Sequence, residues 1–398
     1  MAHDLSKTAS VPSRDCTPVW RRMLARNQNE SHRVASTLEL LFDLVFVVAI
    51  SAAAGQLHHA LANGHAAHGI VSYMMVFVAI WWAWMNFSWF ASAFDNDDVL
   101  YRIAVFIQMA GALVIAAGAE SAFEGHWMPM VIGYTIIRVV AVLQWLRAGQ
   151  HNPHLRAATT RYALGIFLMQ FGWFGLVFLG TPSTFLPIFL LLTILELLVP
   201  MWAEKSVMTP WHPHHISERY GLLTLIVLGE AILSTAKAVQ GGIVDHFLDI
   251  GFMLSCLGAL LVIFCMWWIY FEEQGVAHQL NNYRTAFYWG YGHYFVFAAA
   301  AAAGAGLAAQ VDFRLGHAQG VSAQSIGYGL AVPVAIYVFF TWLIHKRVGL
   351  SPGAWVFPVA ALLVLIASIF TDALNLTIGL ILVLSLMLRT WLVYRHRK

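Results

Sequence analysis

The chain has 398 residues, of which 60% are hydrophobic and 11% are charged, and its mean hydropathy is +0.70. Soluble domains carry about 25% charged residues, so this composition excludes an ordinary soluble protein and indicates one that lies in a lipid bilayer. The formal net charge of +2 gives no sign of a nucleic-acid partner, and the three cysteines show no metal-ligand spacing.

The first 36 residues are polar and rich in arginine. They contain no apolar stretch of the kind that forms the core of a cleavable signal peptide. We therefore interpret residues 1–36 as a disordered cytoplasmic tail, and we expect the membrane region to begin at residue 37.

Apolar stretches of about 20 residues, long enough to cross a bilayer, follow one another through the rest of the chain. They predict an all-α integral membrane protein with about twelve transmembrane helices. The predicted spans are 37–56, 69–92, 101–119, 127–147, 162–180, 183–202, 219–239, 248–271, 284–308, 323–345, 354–371 and 373–393.

The connections between these spans are alternately rich and poor in Lys and Arg, as the positive-inside rule requires. With the N-terminus in the cytoplasm, 19 of the 22 basic residues lie on the inner side. Lys237 and Arg314 fall outside, and Arg138 lies within a span. The even number of spans then predicts that both termini are cytoplasmic.

The chain contains an apparent internal repeat. The stretch "YRIAVFIQMAGALVIAAGA" from Tyr101 matches "YRTAFYWGYGHYFVFAAAAAAGAG" from Tyr283. The acids that open the first and seventh spans, Glu39 and Glu218, are separated by nearly the same length of chain as these two tyrosines. The similar offsets predict two six-helix halves, residues 37–203 and 204–398, with the same orientation and an axis along the membrane normal.

Four titratable residues fall near the middle of the bilayer, where a charge costs about 3 kcal/mol or more. At a rise of about 1.5 Å per residue, Arg138 and His293 lie about 13 Å from the cytoplasmic boundary, Glu230 about 16 Å and Glu196 about 10 Å. Glu230 is the acid closest to Arg138 in depth. These four residues predict a central substrate or proton site. A structural ion pair at Arg138 and a hydrogen-bonded core histidine at His293 are the alternatives.

Glu39 and Asp43 share one face of the first span, because they are four residues apart. A helix N-terminus favours negative charge, which explains Glu39 but not Asp43, one turn deeper. Arg102 and Arg284 begin the matching third and ninth spans, and we predict that they contact these acids in a latch on the cytoplasmic side. The predicted cytoplasmic-side cluster consists of Glu39, Asp43, Arg102, Glu218, Arg219 and Arg284.

Histidines gather in two further stretches, predicted to lie outside the spans. Three or four histidines can bind Zn²⁺, but the spacing here matches no defined site. We predict solvated loop histidines and no metal. They are His58, His59, His65 and His68 on the outer face, and His212, His214 and His215 on the inner face.

Two stretches resemble the signature sequences of the bacterial low temperature requirement A (LtrA) family. "ELLFDLVFVVAIS" from Glu39 is similar to the first, and "ERYGLLTLIVLGEAIL" from Glu218 is similar to the second, with Leu41 and Tyr220 in place of phenylalanine. The resemblance runs from about residue 30 to about residue 395 and implies a multi-spanning protein of the bacterial inner membrane, without implying an activity. The acidic, basic and glycine positions of the two signature sequences correspond in this chain to Glu39, Asp43, Glu218, Arg219, Gly229 and Glu230.

The sequence contains no nucleotide-binding, metalloprotease or serine-hydrolase motif, so we predict neither a cofactor nor a soluble-type enzyme activity. Titratable groups at mid-depth favour a secondary transporter, coupled to protons, for an unknown small solute. Two alternatives stay open. A membrane-embedded lipid-modifying enzyme would need Asp95, Asp97 and Asp98 to converge with the inner-face histidines. A sensor or scaffold would have Arg138 and Glu230 paired with each other and out of reach of any cavity.

Overall fold

The computed structural model of the chain describes residues 17–28, 30, 33–244, 249–272, 280, 283–318, 320–345, 353–370 and 373–397. These residues form α-helices joined by short connections, with one 3₁₀ turn at Pro153–Leu155. The helices are α1 (Thr37–Ala62), α2 (Ala66–Phe94), α3 (Val99–Ala117), α4 (Ala119–Phe123), α5 (Met128–His151), α6 (Arg156–Leu179), α7 (Pro182–Ala203), α8 (Pro213–Val244), α9 (Ile250–Phe271), α10 (Tyr283–Arg314), α11 (Ala323–His345), α12 (Val356–Phe370) and α13 (Leu374–Arg397).

Eleven of these helices are long and apolar enough to span a membrane. The predicted all-α membrane architecture is therefore confirmed. The predicted eleventh span corresponds to α12, which is apolar but has only 15 residues. At about 1.5 Å per residue it rises about 22 Å, less than the hydrocarbon thickness of about 30 Å.

The first helix begins at a capping box that uses one of the signature acids. The Ser36 N–H donates to Oε2 of Glu39 at 2.8 Å, and the Glu39 N–H donates to Oγ of Ser36 at 3.3 Å. Asp98 caps α3 by accepting the Tyr101 N–H at 2.8 Å. Such caps satisfy N–H groups that have no partner within the helix, and so they define where α1 and α3 start.

Packing within the two predicted halves follows one order. α1 packs against α2 and α3, and α3, α5, α6 and α7 pack in sequence; α8 packs against α9 and α10, and α10, α11, α12 and α13 pack in sequence. In the predicted repeat, α1 and α3 correspond to α8 and α10. The contacts between the halves are not symmetric, because α1 packs closely on α10 whereas the described residues of α8 and α3 make no comparable contact. The packing order agrees with a duplicated unit only in part, because α13 also packs against α9 whereas the described residues of α7 and α2 make no comparable contact, and the duplication stays a prediction.

The centre of the bundle is α10. Of its most apolar 18-residue window, 89% is buried, against 28% for α7 at the periphery. Its run of alanines, residues 298–303, lets neighbouring helices approach closely, as small residues do in membrane bundles. A glycine pair does the same in the first half, where a Cβ at Gly133 of α5 would lie 2.7 Å from the carbonyl oxygen of Gly111 in α3.

The described part of the N-terminal segment, residues 17–28, packs against the ends of the helices. The Met23 N–H donates to Nδ1 of His151 at 3.1 Å, the Ala25 N–H to Oδ1 of Asn152 at 2.8 Å and the Arg26 N–H to the Ala93 carbonyl at 3.0 Å. The predicted disordered tail is therefore wrong for this part, while residues 1–16 lie outside the described residues. We call the end of the bundle where this segment lies the N-terminal end.

Candidate functional site

A buried ion pair joins the two signature stretches. Arg219 on α8 donates from Nη2 to Oδ1 of Asp43 on α1 at 2.6 Å, and its Nη1 lies 3.6 Å from Oε1 of Glu39. Glu39 is 1% exposed and the other two side chains are 0% exposed. Because an unpaired charge in this position would be costly, each charge requires the other.

The second helix completes this cluster with one neutral donor and one neutral acceptor. The Trp84 indole N–H donates to Oδ1 of Asp43 at 2.7 Å, and Arg219 donates from Nη2 to Oγ of Ser88 at 3.2 Å. The guanidinium carbon of Arg219 lies 5.9 Å from the centroid of the Trp84 ring, within cation–π range. Three helices, α1, α2 and α8, are therefore held at one buried point.

His215 is a fourth ionisable member of the cluster, one turn before Arg219 on α8. Its Nε2 lies 3.1 Å from Oε1 of Glu39, and its side chain is fully buried. His212 is also buried and lies 3.0 Å from the Glu30 carbonyl through Nε2. The prediction of solvated loop histidines is therefore wrong for these two residues.

Glu230 continues the contact between the same two helices deeper in the bundle. Ser51 donates from Oγ to Oε1 of Glu230 at 2.5 Å, and Ser234 donates to the same oxygen at 3.4 Å. The spacing from Glu39 to Ser51 along the chain equals the spacing from Glu218 to Glu230. The two signature stretches thus run side by side in parallel, with Glu230 partly exposed rather than paired with a cation.

A second buried ion pair lies in the first half. Arg138 on α5 donates from Nη2 to Oε2 of Glu196 on α7 at 2.5 Å. Trp82 donates to the same oxygen at 2.7 Å, and Trp173 donates to Oε1 at 3.0 Å. The Tyr134 ring faces the guanidinium at 5.2 Å. Arg138 is 1% and Glu196 2% exposed, so the pair is fully buried, with aromatic side chains around its carboxylate.

The partner of Arg138 differs from the prediction. The predicted central site placed Glu230, the acid closest in depth, beside Arg138, but the structure pairs Arg138 with Glu196. Depth gives only one coordinate of a side chain. α5 packs against α3 and α6, whereas Glu230 lies on α8, which packs against α1, α9 and α10.

His293 has partners of its own in the core. Its Nδ1 donates to the Trp289 carbonyl at 2.7 Å, which leaves Nε2 to accept from the Tyr270 hydroxyl at 2.9 Å. The Tyr220 ring packs edge-on against it at 4.7 Å. Both ring nitrogens are used, so His293 is placed as a hydrogen-bonded core histidine, apart from the contacts of Arg138 and Glu230.

The predicted latch does not form with the expected arginine. Arg102 donates from Nε to Oδ1 of Asp97 at 2.8 Å, five residues before it and on the surface. Asp43 is paired with Arg219 instead, because α8 packs beside α1 at that level. Arg284 is exposed at the start of α10, and Glu218 is half-buried next to Arg219.

Cavities lie on both sides of the Arg138–Glu196 pair. The aromatic cavity, of about 40 Å³, is lined by Glu196, Trp82, Trp127, Tyr134 and Trp173 among others. The Arg138 cavity, of about 10 Å³, is lined by Arg138, Asn86, Gln108, Gln144 and Trp145 among others. Three of these lining residues carry buried polar atoms without a hydrogen-bond partner in the described part of the chain: Nε and Nη1 of Arg138, Oε1 of Gln108 and Nε2 of Gln144. Such a lining suits water.

The apolar cavity is larger and chemically different. It measures about 240 Å³ and lies between α1, α2, α10 and α11, where Leu57, Ile70, Ala302 and Val332 are among its lining residues. In the described part of the chain, no three His, Cys, Asp or Glu side chains come close enough to hold a metal ion. The charged clusters, the aromatic and Arg138 cavities and the apolar cavity are thus the sites from which a function can be argued.

Several residues at these sites could not be singled out beforehand. The sequence shows 16 tryptophans, and nothing marks Trp82, Trp84 and Trp173 as the ones that donate to buried carboxylates. Ser51 did carry a signal, because its distance from Glu39 along the chain equals that of Glu230 from Glu218.

Comparison with known proteins agrees with this geometry. The family model for the bacterial low temperature requirement A protein (LtrA) matches residues 34–389, which include both ion pairs. The chain is also 25% identical over 357 residues to the uncharacterized protein RA0937 of Rhizobium meliloti (strain 1021), a match that covers 85% of this chain and 83% of the relative. No solved structure matches the chain. The chain belongs to the LtrA family of multi-spanning bacterial membrane proteins.

Proposed function

We propose that the protein is a proton-coupled secondary transporter of a small solute in the bacterial plasma membrane, with both termini in the cytoplasm. The observation that carries this proposal is the Arg138–Glu196 pair, which is fully buried at membrane depth with a cavity on each side. Intramembrane charges of this kind are costly, and in pumps and transporters they mark substrate and proton pathways.

The pair offers the chemistry that coupling requires. A solute anion can take the place of Glu196 on Arg138, or a proton can neutralise Glu196, and either event breaks the contact between α5 and α7. Two donors of Arg138, Nε and Nη1, have no hydrogen-bond partner among the described residues. The guanidinium can therefore donate hydrogen bonds to a new partner without a large side-chain movement.

The Asp43–Arg219 pair supplies the mechanical part of the proposal. It connects α1 of the first predicted half to α8 of the second, and it lies at the N-terminal end of the bundle. Transporters with repeated halves expose a central site alternately by moving one half against the other. We propose that this ion pair holds the two halves together at the N-terminal end of the bundle.

The experiment is solute flux in proteoliposomes that contain the purified protein and a pH-sensitive dye. A panel of amino acids, carboxylates, sugars and quaternary amines is added with and without an imposed pH gradient. Wild type should move at least one class and change the lumenal pH with it. Glu196→Gln should reduce this flux at least about tenfold, which corresponds to about 1.4 kcal/mol in a barrier.

Glu230→Gln is the comparison for a second acid at membrane depth. Glu230 is partly exposed and bonded to serines, so its neutral variant should retain more flux than Glu196→Gln. Equal loss in both variants would assign the coupling to Glu230 as well. Wild-type vesicles that move no solute class would contradict transport.

A second function, lipid binding without transport, is favoured by the apolar cavity. Its volume of about 240 Å³ and almost wholly apolar lining suit a hydrocarbon chain. If the protein is a sensor or scaffold that holds one lipid chain there, Ala302→Trp should fill the cavity and displace the chain. Native mass spectrometry should then show loss of a retained lipid, with no effect on any flux.

A further inference from the structure

Glu204 is a buried acid with no assigned role, and it follows α7 at the N-terminal end of the bundle. Its side chain is 7% exposed, while its neighbours Lys205 and Ser206 are exposed. The hydroxyls of Tyr162 and Thr209 both donate to Oε1, at 2.9 Å and 2.5 Å. Oε2 is buried and has no hydrogen-bond partner among the described residues.

Glu204 also lines a small cavity, here called the Glu204 cavity. It measures about 30 Å³, and Asn86, Trp82, Trp145 and Thr209 are among its lining residues. Asn86 and Trp145 also line the Arg138 cavity, so the two cavities share a wall. Their volumes leave room for about two waters and about one water respectively.

These cavities lead from Glu204 towards the Arg138–Glu196 pair. Glu196 and Glu204 lie eight residues apart in sequence, about 12 Å along a helix. Trp82 lines the Glu204 cavity and donates to Glu196, while Arg138 lines the Arg138 cavity and donates to the same carboxylate. Water in the two cavities would connect one carboxylate with the other through Asn86, Gln144 and Arg138.

We propose that Glu204 is the protonation site through which the Arg138–Glu196 pair exchanges protons with the aqueous phase at the N-terminal end. A proton binds Oε2 of the Glu204 carboxylate to form the neutral acid. It then leaves through the cavity waters for the Glu196 carboxylate as the bond to Arg138 opens. The inference rests on the proposed transport function.

The electrostatic surroundings of Glu204 support this role. Burial raises its pKa to about 7, although the Thr209 and Tyr162 hydroxyls partly offset the effect. The Tyr162 phenol contacts the Glu204 carboxylate directly, and the phenols of Tyr283 and Tyr291 on α10 lie within electrostatic range of it. In the described part of the chain, no cation pairs with it, so Glu204 can change its charge near neutral pH.

The first test is an infrared pH titration of the purified full-length protein in detergent. We expect the carbonyl band of a protonated carboxylic acid to titrate with a midpoint near pH 7 and to be lost in Glu204→Gln. Asp95→Asn is the matched control, because Asp95 is an acid outside the spans whose side chain is only 11% exposed and whose pKa burial also raises, and this variant should leave the band in place. Tyr162→Phe removes one donor and should raise the midpoint by about half a pH unit.

The second test uses proteoliposomes and, as its probe, the panel solute that gives the largest wild-type flux. Glu204→Gln should lose accumulation driven by a pH gradient at least tenfold and retain solute counterflow, which needs no net proton movement. If wild type accumulates the solute and Glu204→Gln accumulates it equally well, the role of Glu204 is overturned and the transport proposal stands. An infrared band that persists in Glu204→Gln would do the same, whereas absence of all wild-type flux would overturn the transport proposal and this inference with it.

Discussion

Asp43 and Arg219 form a fully buried ion pair at 2.6 Å between α1 and α8. Each belongs to one of the two signature stretches of the LtrA family, so the two stretches are parts of one site. Glu39 lies beside Arg219 of this pair, and His215 in turn contacts Glu39. The position of Asp43, one turn deeper than a helix N-terminus would favour, is explained by this arginine.

Breaking the pair on one side should be strongly destabilising. We expect Asp43→Asn or Arg219→Gln alone to cost about 3–5 kcal/mol, because each removes one partner of a buried, hydrogen-bonded ion pair. The double variant should cost less than the sum of the two. Unfolding monitored by circular dichroism in detergent measures all three.

The matched control for this cycle is the surface pair of Arg102 and Asp97, whose side chains are 42% and 56% exposed. Arg102→Gln should leave the melting temperature unchanged, since exposed pairs contribute little. Strict additivity of the Asp43 and Arg219 effects, or an equally large effect at Arg102, would show that the buried pair does not act as a unit.

Acid pH should stabilise the protein through Asp95, in the connection between α2 and α3. Burial raises its pKa to about 6, Glu39 adds to this, and Arg33 and Arg26 partly offset it. A carboxyl with a raised pKa in the folded state binds its proton more tightly there. Stability should therefore rise as the pH falls from about 7 towards 4, by about 1–3 kcal/mol.

Asp95→Asn should remove this contribution and flatten the profile between pH 7 and pH 4. Chemical unfolding at a series of pH values, compared between wild type and variant, measures the difference. A variant whose stability rises on acidification as steeply as that of wild type would assign the effect to another group.

The N-terminal segment should be held chiefly by Asn152. Its Oδ1 accepts the Ala25 N–H at 2.8 Å, and its Nδ2 donates to the Met23 carbonyl at 2.7 Å. Asn152→Ala removes both bonds from a buried position, at about 1–3 kcal/mol. Limited trypsin digestion at Arg22 and Arg26 should then be several-fold faster.

Asn96→Ala provides the comparison for the trypsin experiment. Asn96 donates to the Arg21 carbonyl at 3.4 Å in an exposed position, so its loss should alter the digestion rate little. Equal acceleration by both variants would mean that the segment is held by contacts other than those of Asn152.

Hydropathy alone predicted the helical membrane fold, because bilayer thickness imposes a length on every spanning helix. It predicted the depth of each charged residue as well. It could not predict lateral neighbours, since that order depends on how the helices pack. For this reason the expected neighbours, Glu230 for Arg138 and Arg102 for Asp43, differ from the observed partners, Glu196 and Arg219.

The surroundings of individual histidines and tryptophans could not be predicted from hydropathy either. His215 lies in a stretch that looks like a polar loop, yet α8 begins at Pro213 and carries His215 into the core beside Glu39. The indole N–H groups of Trp82 and Trp173 serve as donors to Glu196 only because α2 and α6 bring them to α7. Sequence spacing contains no such information.

The central claim is that the Arg138–Glu196 pair couples solute movement to protons. The most direct measurement is the change in lumenal pH when a transported solute is added to proteoliposomes, for wild type, Glu196→Gln and Arg138→Gln. The account predicts a solute-dependent pH change in wild type that falls at least about tenfold in each single variant. Undiminished pH changes in both variants, or none in wild type with any solute class, would contradict it.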